Sequence, residues 1–192
     1  MAPAPRRLPL LSLAGCRRIA IIGTTGAGKT TLSRRLARLI DAPVIELDAL
    51  HWGPHWTPAP AAQFRAAADV ATRGDRWVAD GNYGKVRDLV WGRADTLIWL
   101  DYPLVVNFWR LTRRNLGRIA TGEELWHGNR ESFRTQFFAR DSLYVWAAQS
   151  HGRHRREWLA LLATAPYAHL AVARFRTPGA TERWLRRVSR ES

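Results

Sequence analysis

The stretch Gly23-Thr24-Thr25-Gly26-Ala27-Gly28-Lys29-Thr30 decides the fold class. It fits the phosphate-loop pattern G-x-x-x-x-G-K-[ST] at every fixed position. Before it, Arg17–Ile22 is a short β-branched run. After it, the segment from Thr31 to Ile40 carries Leu32, Leu36, Leu39 and Ile40 at helical spacing. Strand, glycine-rich turn and helix are the context this loop needs. The glycines let successive backbone N–H groups turn inward on a phosphate, and the helix adds its positive end. In such a loop the Lys29 ammonium reaches the β- and γ-oxygens, and the Thr30 hydroxyl ligates Mg²⁺. The predicted nucleotide-binding residues are therefore Gly23, Thr24, Thr25, Gly26, Ala27, Gly28, Lys29, Thr30 and Thr31, for ATP or GTP with Mg²⁺.

Outward from the loop the pattern alternates. Pro43–Leu47 reads as a second strand ending at Asp48, and a helix opens at Thr57–Pro60 and stops at Gly74. Arg76–Ala79 and Thr96–Leu100 read as strands ending at Asp80 and Asp101. A long helix runs from Pro103 to about Ile119 and another from Asp141 to Ala163. Tyr167–Phe175 is a fifth strand, and Pro178–Val188 a closing helix. This alternation predicts an α/β fold: a five-stranded parallel sheet with helices on both faces. Residues 118–140, polar and holding Gly122, Gly128 and Asn129, read as a lid insertion. Residues 16–192 form one expected domain behind a tail of residues 1–15 rich in Pro, Ala and Arg. The apolar run Leu8–Leu13 before Cys16 is too short for a signal peptide.

The chain has 192 residues, 46% of them hydrophobic, which suits a folded domain rather than a disordered one. One cysteine excludes a disulfide framework. No apolar run approaches the ~20 residues of a membrane span, so a cytoplasmic protein without a membrane partner is expected. The net charge of +14 attracts polyanions. Lys29 and Lys85 are the only lysines among 30 basic residues. A chain that otherwise uses arginine keeps one of its two lysines where the phosphate loop requires it. The histidines offer no ligand set, and no structural metal is expected; His151 and His154 are three apart but lack a third ligand beside them.

Five segments carry a family resemblance: the phosphate loop, Leu47-Asp48-Ala49-Leu50-His51-Trp52, Asp80-Gly81-Asn82-Tyr83, Ile98-Trp99-Leu100-Asp101 and Gly128-Asn129-Arg130-Glu131-Ser132-Phe133. Together they resemble the adenylate-kinase-like P-loop NTPases, and within them the subfamily related to DNA-topology-modulation proteins. The resemblance runs from about Arg18 to Val188. It implies the nucleoside-monophosphate-kinase fold, with an acceptor-binding part after the second strand and a lid. Asp80 is similar to the aspartate opening the Asp-Gly-Phe-Pro-Arg motif of adenylate kinases, which implies a water-mediated Mg²⁺ role. The Phe-Pro-Arg is missing here, so the acceptor cation must come from elsewhere, with Lys85 and Arg87 nearest. Arginines around the lid of such enzymes cover the transferred phosphoryl group. Arg110 and Arg114 match best, with Arg130 and Arg134 in the insertion itself.

The residues add their own logic. Asp48, Asp80 and Asp101 end three predicted strands, on the sheet edge where ligands bind. Asp48 either takes the proton of an acceptor hydroxyl, joins the metal shell, binds the acceptor, or caps the next turn. Asp101 reads as a helix cap. Arg110, Arg113 and Arg114 share a helix face and repel one another unless an anion lies across them. Trp52 and Trp56 are placed to wall an acceptor pocket, whereas Trp77, Trp99, Trp158 and Trp184 read as core. The expected activity is ATP-dependent phosphoryl transfer to a small acceptor, a nucleoside monophosphate first. A hydroxyl-bearing small molecule and a nucleic-acid-associated regulatory role are the alternatives. The spread of arginine along the whole chain argues against the last.

Overall fold

The structure, a computed structural model, describes residues 12–121 and 143–191. Strands β1 (Arg18–Gly23), β2 (Val44–Glu46), β3 (Trp77–Asp80), β4 (Thr96–Leu100) and β5 (Ala171–Phe175) form one parallel sheet. Their order is β2-β3-β1-β4-β5. The expected five-stranded parallel sheet is present. Parallel neighbours need long crossovers, and helices supply them: α1 (Lys29–Leu39), α2 (Leu47–His51), α3 (Ala61–Ala71), α4 (Arg87–Arg93), α5 (Leu104–Thr121) and α6 (Leu143–Leu162), while α7 (Pro178–Glu191) follows β5 and packs back on the sheet.

Strand residues alternate between two cores. Ile19 and Ile21 of β1 pack with Leu32 and Leu36 of α1 and with Trp184, Leu185 and Val188 of α7. Ala20 and Ile22 face the other way, toward Phe64 of α3, Val90 and Trp91 of α4, and Trp158 and Leu162 of α6. All four tryptophans expected in the core are buried.

Several boundaries differ from the sequence expectation. β2 stops at Glu46, and Leu47 already belongs to α2, so Asp48 lies in a helical first turn rather than at a strand end. β5 begins at Ala171, because Ala165–Tyr167 closes into a 3-10 turn. Helix α4 was not expected; it has seven residues and includes Gly92, too little for a clear helical period. Its buried Val90 and Trp91 hold the β3-to-β4 crossover against the sheet. Leu13, inside the stretch expected to be a tail, is buried, and its carbonyl accepts the Cys16 N–H at 2.9 Å. The expected lid lies outside the described residues beyond Thr121, where α5 ends.

Candidate active site

The phosphate loop follows β1 directly and ends at Gly28, whose φ of 92° is left-handed. A side chain there would also strike the Arg110 guanidinium, 2.5 Å from the position of a Cβ. Glycine thus serves both the turn and the approach of Arg110, whose Nε donates to the Gly26 carbonyl at 3.2 Å. The Lys29 ammonium donates to the Gly23 carbonyl at 3.1 Å. Asn82 clamps the same residue: its Nδ2 donates to the Gly23 carbonyl at 2.6 Å, and its Oδ1 accepts the Gly23 N–H at 3.2 Å. The loop's first residue is therefore held by the segment that follows β3.

Register places Asp80 between two neighbours. It pairs with Ile21 of β1 on one side and Glu46 of β2 on the other. Its side chain is buried, and Oδ2 has no hydrogen-bond partner. Burial pushes its carboxyl above the usual carboxylate range, against the pull of the Lys29 ammonium and the Thr30 hydroxyl; Asp48 and Glu46 push it further up. Gly81, at φ 147°, has no room for a Cβ, which would lie 2.8 Å from the Leu47 Cβ. The Leu-Asp and Asp-Gly motifs are thus two sides of one contact. Leu47 packs onto Gly81, and that packing sets Asp48 beside Asp80.

Asp48 is further fixed by Tyr83. The phenol donates to Oδ1 at 2.5 Å. Burial first, then the charge of Asp48, push the Tyr83 phenol far up, so it stays a donor at any physiological pH. His51, on the next turn of α2, lies against Tyr83, Phe64 and Trp52 with ring centroids 4.6, 5.0 and 4.7 Å away. Burial and then the Lys85 ammonium hold the His51 imidazole below its ordinary value, while Asp48 opposes them. Trp52 also meets Trp56 edge-on at 5.9 Å. Beside this group a narrow cleft is lined by Leu47, Asn82, Tyr83, Arg87, Trp91 and Trp158.

The sequence-expected residues divide accordingly. Lys29, Thr30, Asp48, Asp80, Trp52, Lys85 and Arg110 gather around the ends of β1, β2 and β3. Arg114 lies one turn beyond Arg110, and its guanidinium bonds Asn115 Oδ1 at 3.2 and 3.3 Å. Arg87 lines the cleft, but its guanidinium pairs with Glu157 at 2.8 Å and lies 5.3 Å over the Trp91 ring. Its charge is already matched, which weighs against an acceptor-phosphate role. Arg130 and Arg134 lie outside the described residues. Asp101 is not a cap: its buried carboxylate takes Arg174 of β5, with Nε at 2.8 Å, and Arg155 of α6 at 3.4 Å. Asn82, Tyr83 and His151 also reach the site and were not expected there. The first two stand inside the quoted Asp-Gly-Asn-Tyr motif, and the motif itself was their signal. His151 reaches the loop from α6, with Nδ1 2.8 Å from the Thr24 hydroxyl.

Thr30 and Asp80 offer the oxygen donors that Mg²⁺ prefers, and a cation that keeps most of its waters needs few protein ligands. The buried, unpartnered Oδ2 of Asp80 beside the Lys29 ammonium is the arrangement such an ion suits. Among the described residues no group of three His, Cys, Asp or Glu side chains is set to hold a metal alone. No described helix is long and apolar enough to cross a membrane.

No family model matches the sequence, and no curated protein matches it. Solved structures do. The chain is similar to the shikimate kinase of Bacteroides thetaiotaomicron, with a TM-score of 0.56 and 17% identity over 92% of this chain and 98% of that one. It is similar to the shikimate kinase of Acinetobacter baumannii in complex with shikimate, with a TM-score of 0.53 and 15% identity over 91% and 92%. The chain has the nucleoside-monophosphate-kinase-like P-loop fold. At this identity the likeness is one of fold. It bears out the expected architecture, and it does not reach the DNA-topology-modulation subfamily.

Proposed function

We propose that the protein is an ATP-dependent phosphotransferase whose acceptor is a hydroxyl of a small molecule. One observation carries the reading: the Tyr83 hydroxyl on Oδ1 of Asp48 at 2.5 Å. One carboxylate oxygen is thereby held, and the other is left to take a proton. A hydroxyl is a weak nucleophile until its proton has a destination, and a positioned carboxylate supplies one. The acceptor oxygen bonds to the γ-phosphorus while its proton passes to Asp48. The bond from the γ-phosphorus to the β–γ bridging oxygen breaks, and ADP leaves. Lys29 and Arg110 cover the charge on the transferred group. Thr30 and Asp80 would hold Mg²⁺, which supplies charge neutralisation on the phosphates when bound.

The monophosphate acceptor favoured from sequence recedes on the same residues. Its phosphate would need a free cation in the cleft; Arg87, one of the two nearest, is paired with Glu157, and Lys85, the other, does not line it. The cleft is walled by the Trp91, Trp158 and Tyr83 rings, and its one cation, Arg87, is paired, which suits an uncharged acceptor better than a phosphate. A solved kinase of this fold holds shikimate, which supports a hydroxyl acceptor as a class. Kinship with the DNA-topology-modulation proteins rests on the sequence motifs. The test is ADP release in a coupled assay over polyols, sugars, hydroxy acids, nucleosides and nucleoside monophosphates. Turnover confined to hydroxyl acceptors is expected; turnover confined to monophosphates would overturn the reading.

A further inference from the structure

Helix α6 brings two histidines to the phosphate loop. His151 Nδ1 lies 2.8 Å from the hydroxyl of Thr24, the loop's second residue, which is buried. One turn further on, His154 stacks on Trp158 with ring centroids 5.0 Å apart and planes 16° apart. Burial holds the His154 imidazole below its ordinary value; Glu157 opposes this, and Arg153, Arg87 and Lys29 add to it. His151 thus meets the phosphate loop from α6. Among the described residues no third ligand stands with the two histidines.

We propose that His151 is a further nucleotide-contacting residue, whose Nε2–H donates to the terminal phosphate of a nucleoside triphosphate in the loop. The two ring nitrogens are linked through the tautomer. When the Thr24 hydroxyl donates to Nδ1, the ring proton sits on Nε2, and that nitrogen is a donor. A phosphate oxygen accepts only, so an anion in the loop selects this tautomer or the imidazolium, which donates from both nitrogens. Thr24 thus orients the ring and His151 makes the contact. A diphosphate lacks the terminal group, so the contact separates triphosphate from diphosphate. The inference rests on the reading of the loop as a nucleotide site and not on the identity of the acceptor.

The experiment is calorimetric titration of the full chain with a non-hydrolysable ATP analogue and with ADP, each with Mg²⁺, for the wild type, His151→Asn and His151→Gln. The Asn amide reaches about as far as Nδ1, so it keeps the Thr24 bond and loses the Nε2 donor. The Gln amide reaches about as far as Nε2 and donates from there. His151→Asn is expected to weaken the ATP analogue about tenfold or more, the size of one charge-assisted hydrogen bond. Its ADP affinity should stay within about twofold, and its thermal midpoint should hold. His151→Gln is expected to recover most of the loss. Wild-type affinity for both nucleotides in His151→Asn would overturn the proposal. So would equal losses for both nucleotides in both variants with a fallen midpoint, which would make His151 a strut between α6 and the loop. A wild type that binds neither nucleotide removes the loop reading and this inference together. Wild-type binding with the expected discrimination, but no turnover of any hydroxyl acceptor, removes only the proposed acceptor class.

Discussion

The Tyr83 phenol donates to Asp48 Oδ1 at 2.5 Å and joins two motifs that are 35 residues apart in the chain. Asp48 comes from the first turn of α2 and Tyr83 from the segment after β3. Leu47 packed on Gly81 sets the distance between them. Everything proposed for the acceptor depends on this pair being held together.

Tyr83→Phe should therefore act through Asp48. The ring contacts with His51 and Phe64 survive the change, so stability should fall by only about 1 kcal/mol, the size of one hydrogen bond. Turnover should fall by about tenfold with little change in acceptor KM, because the carboxylate loses its orientation and the pocket keeps its shape. Steady-state kinetics on the acceptor found in the screen decide it. Unchanged kcat would mean that Tyr83 is packing alone.

Lys29→Ala should remove activity and keep the fold. The Lys29 ammonium bonds the Gly23 carbonyl, a residue that Asn82 already holds from two sides. A loss of about 10²–10³ in kcat is expected for a cation that covers transition-state charge. The thermal midpoint should stay near that of the wild type. A steep drop in midpoint would show that the lysine serves the loop's structure instead.

Asp80 gives a pH signature. Burial raises its carboxyl, so the folded state keeps the proton at a pH where the unfolded chain has lost it. The stability from this group is full in acid and is lost as pH rises through the folded value. Asp80→Asn cannot charge and escapes that loss. The midpoint of the variant minus that of the wild type should grow as pH rises above the ordinary carboxylate range. A difference that shrinks with rising pH would show that Lys29 and Thr30 outweigh burial.

Asp101 has a structural part. Its buried carboxylate ties β4 to Arg174 of β5 and Arg155 of α6, and the Arg174 guanidinium lies 4.2 Å over the Trp99 ring. Asp101→Ala should cost about 3–5 kcal/mol in chemical denaturation, because it leaves a partly buried guanidinium without its carboxylate. A change under about 1 kcal/mol would show that the pair does not hold the strands.

The phosphate loop was legible because its chemistry fixes residue types at fixed spacing next to a strand and a helix. The sheet was legible because β-branched runs alternated with helical periods. Leu47-Asp48 and Asp80-Gly81 were visible as motifs. Their relation was not, since a Cβ clash between Leu47 and Gly81 exists only once β2 and β3 are paired. Arg87 read as a free cation because its partner Glu157 lies 70 residues away on α6. Asp101 read as a cap for the same reason: Arg174 is distant in sequence and adjacent in the sheet. His151 was visible only as half of an incomplete ligand pair with His154, because its partner Thr24 lies 127 residues away in the chain. Contacts made by tertiary pairing leave no local signal.

The most direct measurement is Asp48→Asn under saturating ATP, with kcat and acceptor KM determined separately. The amide matches the carboxylate in size and loses only its ability to take a proton. A hydroxyl acceptor predicts a kcat loss of about 10²–10⁴ at nearly unchanged acceptor KM. A raised KM with kcat largely preserved would contradict the account, because it would make Asp48 a binding group for an acceptor that is already an anion.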